Sequence, residues 1–182
     1  QEINKEEDKN NTRYITKTSN SSSEGIKIEF NDNNNFDGII NYLKNQTNDN
    51  ILETILNVTP STLYGSSYPA TNLLDDNPSN FYGTKSIHNS WICFEFKNHQ
   101  VKLTHYKIKT NYGGCNIRNW KLEGSNDNES WELLDEQTNC EYTHGDDKVH
   151  TFQINKQQNQ KFKYIRLLST GKDWNNLNFL II

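Results

Sequence analysis

The sequence predicts an all-β domain, either a β-sandwich or a jelly-roll barrel. Aromatic residues make up 12% of the chain, and they favour strands because their side chains pack well on a pleated, half-buried surface. About seven or eight short segments carry strand-like apolar patterns with turn residues between them. The clearest is a hairpin, in which alternating residues 120–124 precede a turn of Asn and Asp and the apolar pattern resumes at Trp131. Two tryptophans, Trp120 and Trp131, bracket this turn.

The segment before this domain is predicted to have a different character. Residues 1–25 are almost wholly polar or charged and cannot bury enough apolar surface to offset the entropy of ordering, so a disordered polar tail or linker is predicted. In residues 26–50, apolar residues first alternate and then recur at helical spacing, which predicts a short strand and a short helix. Asp37 is a candidate N-cap of that helix. The domain itself is predicted at residues 51–182.

The remaining elements of the domain follow from local patterns. Residues 51–56 are apolar at mixed spacing, and their type stays open. Residues 68–78 combine prolines with short polar residues, which predicts irregular structure with at most one helical turn. Besides the hairpin, the predicted strands are residues 91–96, 101–110, 149–154, 161–168 and 177–182.

Composition and charge limit the possible functions. The net charge is −4 and no run of Lys or Arg is present, so the basic surface that nucleic acid or an anionic membrane requires is not expected. No apolar stretch is long enough to span a bilayer, and the first residues do not form a signal-peptide core, so membrane insertion is not expected. The chain contains no Met, which suggests a processed form or a fragment of a longer protein.

The chain has three cysteines, Cys93, Cys115 and Cys140. An odd number without Cys-x-x-Cys spacing argues against a disulfide framework and against a structural zinc site, so reduced thiols are predicted. Cys93 lies within the apolar residues 91–96, where a small buried hydrophobe is expected rather than a reactive thiol.

Several segments, taken in order, resemble the factor V/VIII type C domain, also called the discoidin domain. Glu123-Gly124-Ser125-Asn126-Asp127 followed by Ser130-Trp131 resembles its strand-turn-strand signature. The other matching segments are residues 58–61, 69–75, 91–96 and 162–167. The resemblance implies a galactose-binding-like β-sandwich, here preceded by the short helix and the polar tail.

Two departures from the family and one finer similarity add expectations. The cysteine pair that ties the ends of secreted discoidin domains is not evident, and the chain stops at Ile182, where the family continues into an aromatic strand, so the last strand end is expected to be missing. Residues 36–43 and 104–108, together with Trp120, resemble discoidin-like domains that follow BTB-type modules in protist proteins. That similarity implies an intracellular protein, cytoplasmic or cytoskeletal.

No catalytic motif supports an enzyme, because the sequence lacks a nucleophile elbow, a zinc-binding helix motif and a phosphate-binding glycine loop. The five histidines are scattered, and surface or hydrogen-bonding roles are favoured for them: His88, His99, His105, His144 and His150. Structural roles are predicted for Trp91, Trp120, Trp131 and Arg166. Arg166 is expected to approach the core and to form an ion pair, with Glu95 or Asp75 as candidate partners.

A structural calcium ion is a possible cofactor, and no other is predicted. Asp75, Asp76 and Ser79 place hard oxygen donors in one loop, the ligand type that Ca²⁺ prefers. In related galactose-binding-like domains this region often holds calcium. Simple turn chemistry explains the same residues equally well.

The family resemblance also implies a binding surface made of loops at one end of the barrel. These loops correspond to residues 61–67, 81–89 and 111–118. The candidate ligand-binding residues are Tyr64, Ser66, Tyr82, Lys85, His88, Tyr112 and Arg118. Tyr and Arg side chains suit both sugars and protein partners. The alternative is that the tyrosines only cover the barrel end.

The sequence therefore predicts a non-catalytic binding module. A protein-docking or scaffold domain within a larger intracellular assembly is favoured, because the cysteines are unpaired and the protist proteins are similar. The alternative is a carbohydrate-binding, lectin-like module that is secreted or at the cell surface, indicated by the loop tyrosines.

Overall fold

The computed structural model describes residues 12–17, 25–30, 38–47, 54–74, 77, 80–111, 114–145 and 148–182. Apart from short 3₁₀ turns, these residues form one helix and ten strands. In chain order they are β1 Thr12–Lys17, β2 Ile26–Glu29, α1 Ile39–Gln46, β3 Leu56–Pro60, β4 Trp91–Phe96, β5 His99–Lys102, β6 His105–Lys109, β7 Trp120–Ser125, β8 Glu132–Gln137, β9 Val149–Gln153 and β10 Tyr164–Ser169. The predicted all-β sandwich with a single short helix is confirmed.

A five-stranded antiparallel sheet in the order β3-β4-β10-β7-β8 forms the centre of the fold. Leu167 of β10 pairs with Ile92 of β4 on one side and with Leu122 of β7 on the other, and all three side chains are buried. Because successive side chains of a strand point to opposite faces, this register gives the sheet one continuous apolar face. The predicted Trp120–Trp131 hairpin is the β7–β8 connection.

The β6–β9 pair packs against that apolar face through aromatic rings. Tyr106 stacks on Phe152 with ring centroids 5.1 Å apart, and Phe152 meets the fully buried Trp120 edge to face at 5.2 Å. The Trp120 indole N–H donates to the Tyr106 hydroxyl (2.9 Å), which donates to Asp135 Oδ2 (2.6 Å). The polar atoms of these large rings are therefore satisfied inside the sandwich.

Part of the segment predicted as a disordered tail is a strand, β1. It belongs to a third sheet, whose strand order is β2-β1-β5. Thr12–Lys17 pairs with β2 on one side and with β5 on the other. Backbone pairing with an available strand edge does not require apolar side chains, so composition alone missed this strand. The strand predicted at the start of residues 26–50 is confirmed as β2.

Two further elements differ from their prediction in detail. The helix begins at Ile39, with Gly38 at its N-cap position. The predicted N-cap, Asp37, lies outside the described residues. The strand predicted at 101–110 is two strands, β5 and β6. At the break between them, the buried Gln158 side chain bonds both backbone groups of Leu103, accepting from its N–H (3.3 Å) and donating to its carbonyl.

The predicted irregular segment contains only a short 3₁₀ turn, Ala70–Leu74, in its described part. Residues 177–182, predicted as a strand, form a single bridge between Ile181 and Gly83. All three cysteines are free, as predicted, and Cys93 is buried. No helix in the described part of the chain is long and apolar enough to cross a membrane.

Candidate functional site

Strand register gathers the longest loops at one end of the central sheet. The pairs Leu168–Trp91 and Ser169–Trp120 show that β10 ends where β4 and β7 begin. β3 and β8 also end there. We call this the loop end, formed by the described residues within 61–90, 110–119, 138–148 and 170–182. The β7–β8 turn, residues 126–131, lies at the opposite end of the central sheet, which we call the hairpin end.

Exposed apolar side chains concentrate at the loop end. Among the described residues, the exposed large hydrophobic residues are Ile26, Leu63, Tyr64, Ile87, Tyr142 and Leu177. All but Ile26 lie in the loop-end segments. Single exposed apolar residues are ordinary, whereas their grouping at one end makes the loop end a candidate interaction surface.

The loop segments that carry Tyr64, Gly83 and Phe179 lie side by side. Together they form what we call the tyrosine side of the loop end. The Tyr64 N–H donates to the Gly83 carbonyl (2.8 Å), and the Lys85 N–H donates to Thr62 Oγ1 (3.1 Å). The Tyr64 ring lies 5.6 Å from the Phe179 ring, edge to face, and 5.5 Å from the Tyr68 ring, centroid to centroid. Tyr64 is still 54% exposed, so much of its surface faces solvent.

Three more of the predicted ligand-binding residues flank this side. Ser66, Lys85 and His88 are all exposed. The loop that carries Lys85 and His88 is tied to the last segment of the chain, because the Asn178 N–H donates to Ser86 Oγ (3.1 Å). The loops that form the tyrosine side therefore also carry exposed hydroxyl, ammonium and imidazole groups.

Tyr82 does not contribute to this surface. It is fully buried, and its hydroxyl donates to the carbonyls of Thr62 (3.3 Å) and Trp91 (3.4 Å). Burial raises the pKa of its phenol, so the hydroxyl stays protonated. The reason is backbone pairing, since Tyr82 and Ile182 exchange two N–H···O bonds that turn the ring inward. The prediction that Tyr82 lies on the binding surface is corrected accordingly.

The other half of the loop end, the arginine side, is built around Arg118 and Trp174. The Arg118 guanidinium lies 4.6 Å from the centroid of the Trp174 ring, and its Nε donates to Asn139 Oδ1 (2.6 Å). The exposed His144 ring lies 4.3 Å from the Trp174 ring. The indole N–H donates to Thr143 Oγ1 (3.2 Å). A cation, an amide and an imidazole thus surround one indole.

A tight turn joins the two sides. Asp173 is 1% exposed, and its Oδ1 accepts hydrogen bonds from the N–H groups of Asn175 and Leu177, both at 2.9 Å. These bonds fix the chain between Trp174 on the arginine side and Phe179 on the tyrosine side. The arginine side and the tyrosine side are therefore joined through this turn.

The F5/8 type C domain model matches residues 57–180, which is most of the chain. This chain belongs to the F5/8 type C domain family. No curated protein matches the sequence. The similarity to protist domains that follow BTB-type modules stays a prediction.

Solved structures of similar fold share little sequence with this F5/8 type C domain. The Clostridium perfringens module CpGH89CBM32-5, in complex with GalNAc-β-1,3-galactose, has a TM-score of 0.54 and 16% identity over 69% of this chain and 89% of that one. The family 32 carbohydrate-binding module of C. perfringens NanJ, in complex with galactose, gives the same TM-score and identity over 70% and 88%. The striped bass (Morone saxatilis) serum fucolectin gives 0.53 and 16% over 69% and 42%.

Several predicted site residues lie outside the part of this F5/8 type C domain that the structure describes. They are Tyr112 among the ligand-binding candidates and Asp75, Asp76 and Ser79 among the calcium ligands. Within the described ranges, no group of three His, Cys, Asp or Glu side chains is placed to hold a metal ion. The calcium site stays a prediction.

The residues predicted to be structural lie on both faces of the central sheet. Trp120 is in the core, whereas Trp91, by alternation with the buried Ile92, faces outward and is half-buried. Arg166 also faces outward, because it alternates with the buried Ile165 and Leu167.

The partner of Arg166 is Glu123 and not Glu95. Arg166 pairs across the sheet with Glu123, whose Oε2 accepts from its Nε (2.9 Å) and Nη2 (2.6 Å). Glu95 lies opposite Tyr164 instead. The guanidinium also lies 3.9 Å from the Trp131 ring centroid.

Sequence reasoning missed the residues that surround Arg118. Asn139 and His144 lie in a loop that carries no motif, and Trp174 follows the last central strand. One signal was present in the sequence, since Trp174 is a large aromatic within a run of Gly, Lys, Asp and Asn that resembles no strand or helix. An aromatic side chain in a polar loop is a candidate contact residue.

Proposed function

We propose that this F5/8 type C domain is a carbohydrate-binding module whose sugar lies on the loop end. The observation that carries the proposal is the exposed Tyr64 ring on the tyrosine side, held by the Tyr68 and Phe179 rings. The same loops expose the side chains of Ser66, Lys85 and His88. An exposed ring can stack on the C–H face of a pyranose, while the flanking groups bond its hydroxyls. Binding sites commonly combine an apolar surface with a few fixed polar groups.

The arginine side supports an extended ligand. Arg118 and Trp174 are held together by a cation–π contact and by the bond to Asn139, so their positions are set before a ligand arrives. Pre-organised groups lose less entropy on binding than mobile ones. An oligosaccharide that crosses the Asp173 turn would contact both sides.

The comparisons support the same class of ligand. Two of the solved structures with a similar fold are complexes with galactose or GalNAc-β-1,3-galactose, and a third is a fucolectin. A fold hosts many functions, so the sugar proposal rests on the loop-end residues together with these structures. In this proposal the domain binds its ligand and does not transform it.

The scaffold role favoured by the sequence rests on different features. Its support is the three free cysteines and the similarity to intracellular protist domains. The sugar proposal is supported by the arrangement of the site itself, and we prefer it for that reason. It favours the secreted or cell-surface alternative; intracellular placement stays a prediction.

A glycan array tests the proposal. Wild-type protein is expected to bind glycans with terminal galactose or N-acetylgalactosamine. Tyr64→Ala is expected to lose most of the binding signal, whereas Tyr64→Phe, which keeps the ring, is expected to retain it. Ile26→Ala changes the exposed large hydrophobic residue that lies outside the loop-end segments and serves as the surface control. A folded Tyr64→Ala variant that binds as well as wild type contradicts a sugar site on the tyrosine side.

A further inference from the structure

We propose a second carbohydrate site at the hairpin end, built on Trp131 and selective for neutral sugars. It lies at the other end of the central sheet from Tyr64 and does not depend on the loop-end site. Trp131 directly precedes β8, and its side chain is only half-buried. A tryptophan that is not needed in the core, beside a hollow, is a candidate contact residue.

The Trp131 ring is fixed in place. The Arg166 guanidinium lies 3.9 Å from the ring centroid, and two hydrogen bonds to Glu123 Oε2 hold that guanidinium. The side chains of Arg166 and Glu123 are 20% and 13% exposed, so the pair is largely shielded from water. A cation–π contact that is partly desolvated is stronger than an exposed one. The ring is therefore a rigid platform.

A hollow of about 320 Å³ adjoins this ring. It is open to solvent, and the residues that line it are Gly124, Ser125, Asn126, Asp127, Ser130, Trp131, Glu132 and Gln160. The lining thus combines one aromatic ring with amides, hydroxyls and carboxylates. The volume is at the lower end of the range for small-molecule sites, about 300 to 1,000 Å³.

Hydrogen bonds hold the polar wall of the hollow. Asn126 Oδ1 accepts from the Lys163 N–H (2.9 Å) and from Gln100 Nε2 (3.0 Å), while its Nδ2 donates to the Lys161 carbonyl (2.9 Å). Gln160 Nε2 donates to Glu132 Oε2 (3.3 Å). The wall is therefore organised without a ligand, which lowers the entropic cost of binding.

The carboxylates determine the class of ligand. Asp127 Oδ1 accepts from the N–H groups of Glu129 (2.9 Å) and Ser130 (2.7 Å), and these bonds hold the pKa of Asp127 below its ordinary range. Asp127 is therefore ionised at neutral pH. A carboxylate has lone pairs beyond those used here and can accept bonds from sugar hydroxyls. Glu132 Oε1 also lies 3.6 Å from Lys156 Nζ, in a partly exposed and therefore weak ion pair. Together with Asp127, it still favours a neutral, hydroxyl-rich ligand over an anionic one.

Two sites at opposite ends of the sheet would let one domain contact two glycan chains. Simultaneous engagement raises the apparent affinity for a dense glycan surface without any new contact.

The Trp131 indole N–H resonance provides the test. It is assigned with Trp131→Phe and followed by NMR during titration with methyl β-galactoside, methyl β-glucoside and N-acetylneuraminic acid. A saturable shift is expected with at least one neutral glycoside and none with the acid. Glu132→Gln is expected to weaken that response about fivefold or more, the scale of one hydrogen bond. Glu136→Gln, which removes the same charge on the same strand, is expected to leave it unchanged.

The loop-end variant separates the two sites. Tyr64→Ala is expected to leave the Trp131 response unchanged even if loop-end binding is lost. Any of three results would overturn the second site. These are the absence of a saturable shift with either neutral glycoside, an equal shift with the anionic sugar, and loss of the shift in folded Tyr64→Ala. Trp131→Phe serves only to assign the resonance, and the outcomes are read from wild type and from the Glu132→Gln, Glu136→Gln and Tyr64→Ala variants.

Discussion

Phe162 packs against Gly124 so closely that a Cβ on Gly124 would lie 2.5 Å from Cγ of Phe162. Phe162 is fully buried, and Gly124 lies in β7 opposite Ile165 of β10. The glycine is therefore required by a side-chain contact across the sheet.

Gly124→Ala is expected to destabilise the domain by about 1 to 3 kcal/mol, because the buried ring must shift to make room for the methyl group. Urea unfolding of the variant and wild type measures the change. Gly65→Ala is the control, since its nearest neighbour would be Tyr68 at an ordinary 3.8 Å. An unchanged unfolding midpoint for Gly124→Ala would show that the ring moves freely.

Tyr106→Phe is expected to cost about 1 to 3 kcal/mol, because it leaves the Trp120 indole N–H and Asp135 without their shared partner. Thermal or urea unfolding measures the loss. Tyr142→Phe, at an exposed tyrosine, provides the matched control and should unfold like wild type. Equal stability of the two variants would argue against the buried network.

Only one of the three thiols is expected to react rapidly in the folded protein. Burial raises the pKa of Cys93 to about 11 and also raises the pKa of Cys140, so both stay protonated and shielded. Cys115 is only half-buried. Titration with a thiol reagent at mildly alkaline pH should label one equivalent, and Cys115→Ser should abolish the fast phase. Fast labelling of a second thiol contradicts the burial of Cys93 or Cys140.

Acid is expected to weaken the domain partly through Glu95. The Lys163 side chain donates to Glu95 at 3.0 Å and is the main reason that the pKa of Glu95 is lowered. The unfolded chain therefore binds this proton more readily, so the stabilisation is complete above the ordinary Glu pKa of about 4.3 and is lost as the pH falls below it. Partial exposure limits it to less than about 1 kcal/mol.

Urea unfolding of wild type and Glu95→Gln across the acidic range checks this dependence. The variant should lose less stability than wild type as the pH falls. Glu136→Gln changes the same charge in a more exposed ion pair with Lys121 and provides the comparison. Parallel curves for wild type and Glu95→Gln would show that this pair adds nothing.

The sequence predicted the elements whose signal is local. The apolar residues 91–96 identified β4, and the alternation in residues 120–124 with the Asn–Asp turn identified the β7–β8 hairpin. These signals are local, because apolar pattern and turn chemistry can be read from neighbouring residues. β1 was missed because its partner, β5, supplies backbone pairing that composition does not reveal.

The site was predicted less completely because its contacts join distant parts of the chain. Placing Tyr64 and Arg118 in loops required only local patterns together with the family resemblance. The meeting of Arg118 with Trp174 depends on the topology of β7 and β10, and the partner of Arg166 depends on strand register. Tyr82 turned inward because of pairing with the last residue of the chain.

The most direct measurement of sugar binding at the loop end is NMR chemical-shift mapping with a galactose-containing disaccharide. The account predicts saturable shifts of the backbone amides of Tyr64, Lys85 and Asn178, which lie in the three paired segments of the tyrosine side. Shifts of the Arg118 and Trp174 amides would extend the ligand to the arginine side. If no disaccharide tested moves the loop-end amides of the folded protein, carbohydrate binding at this surface is contradicted.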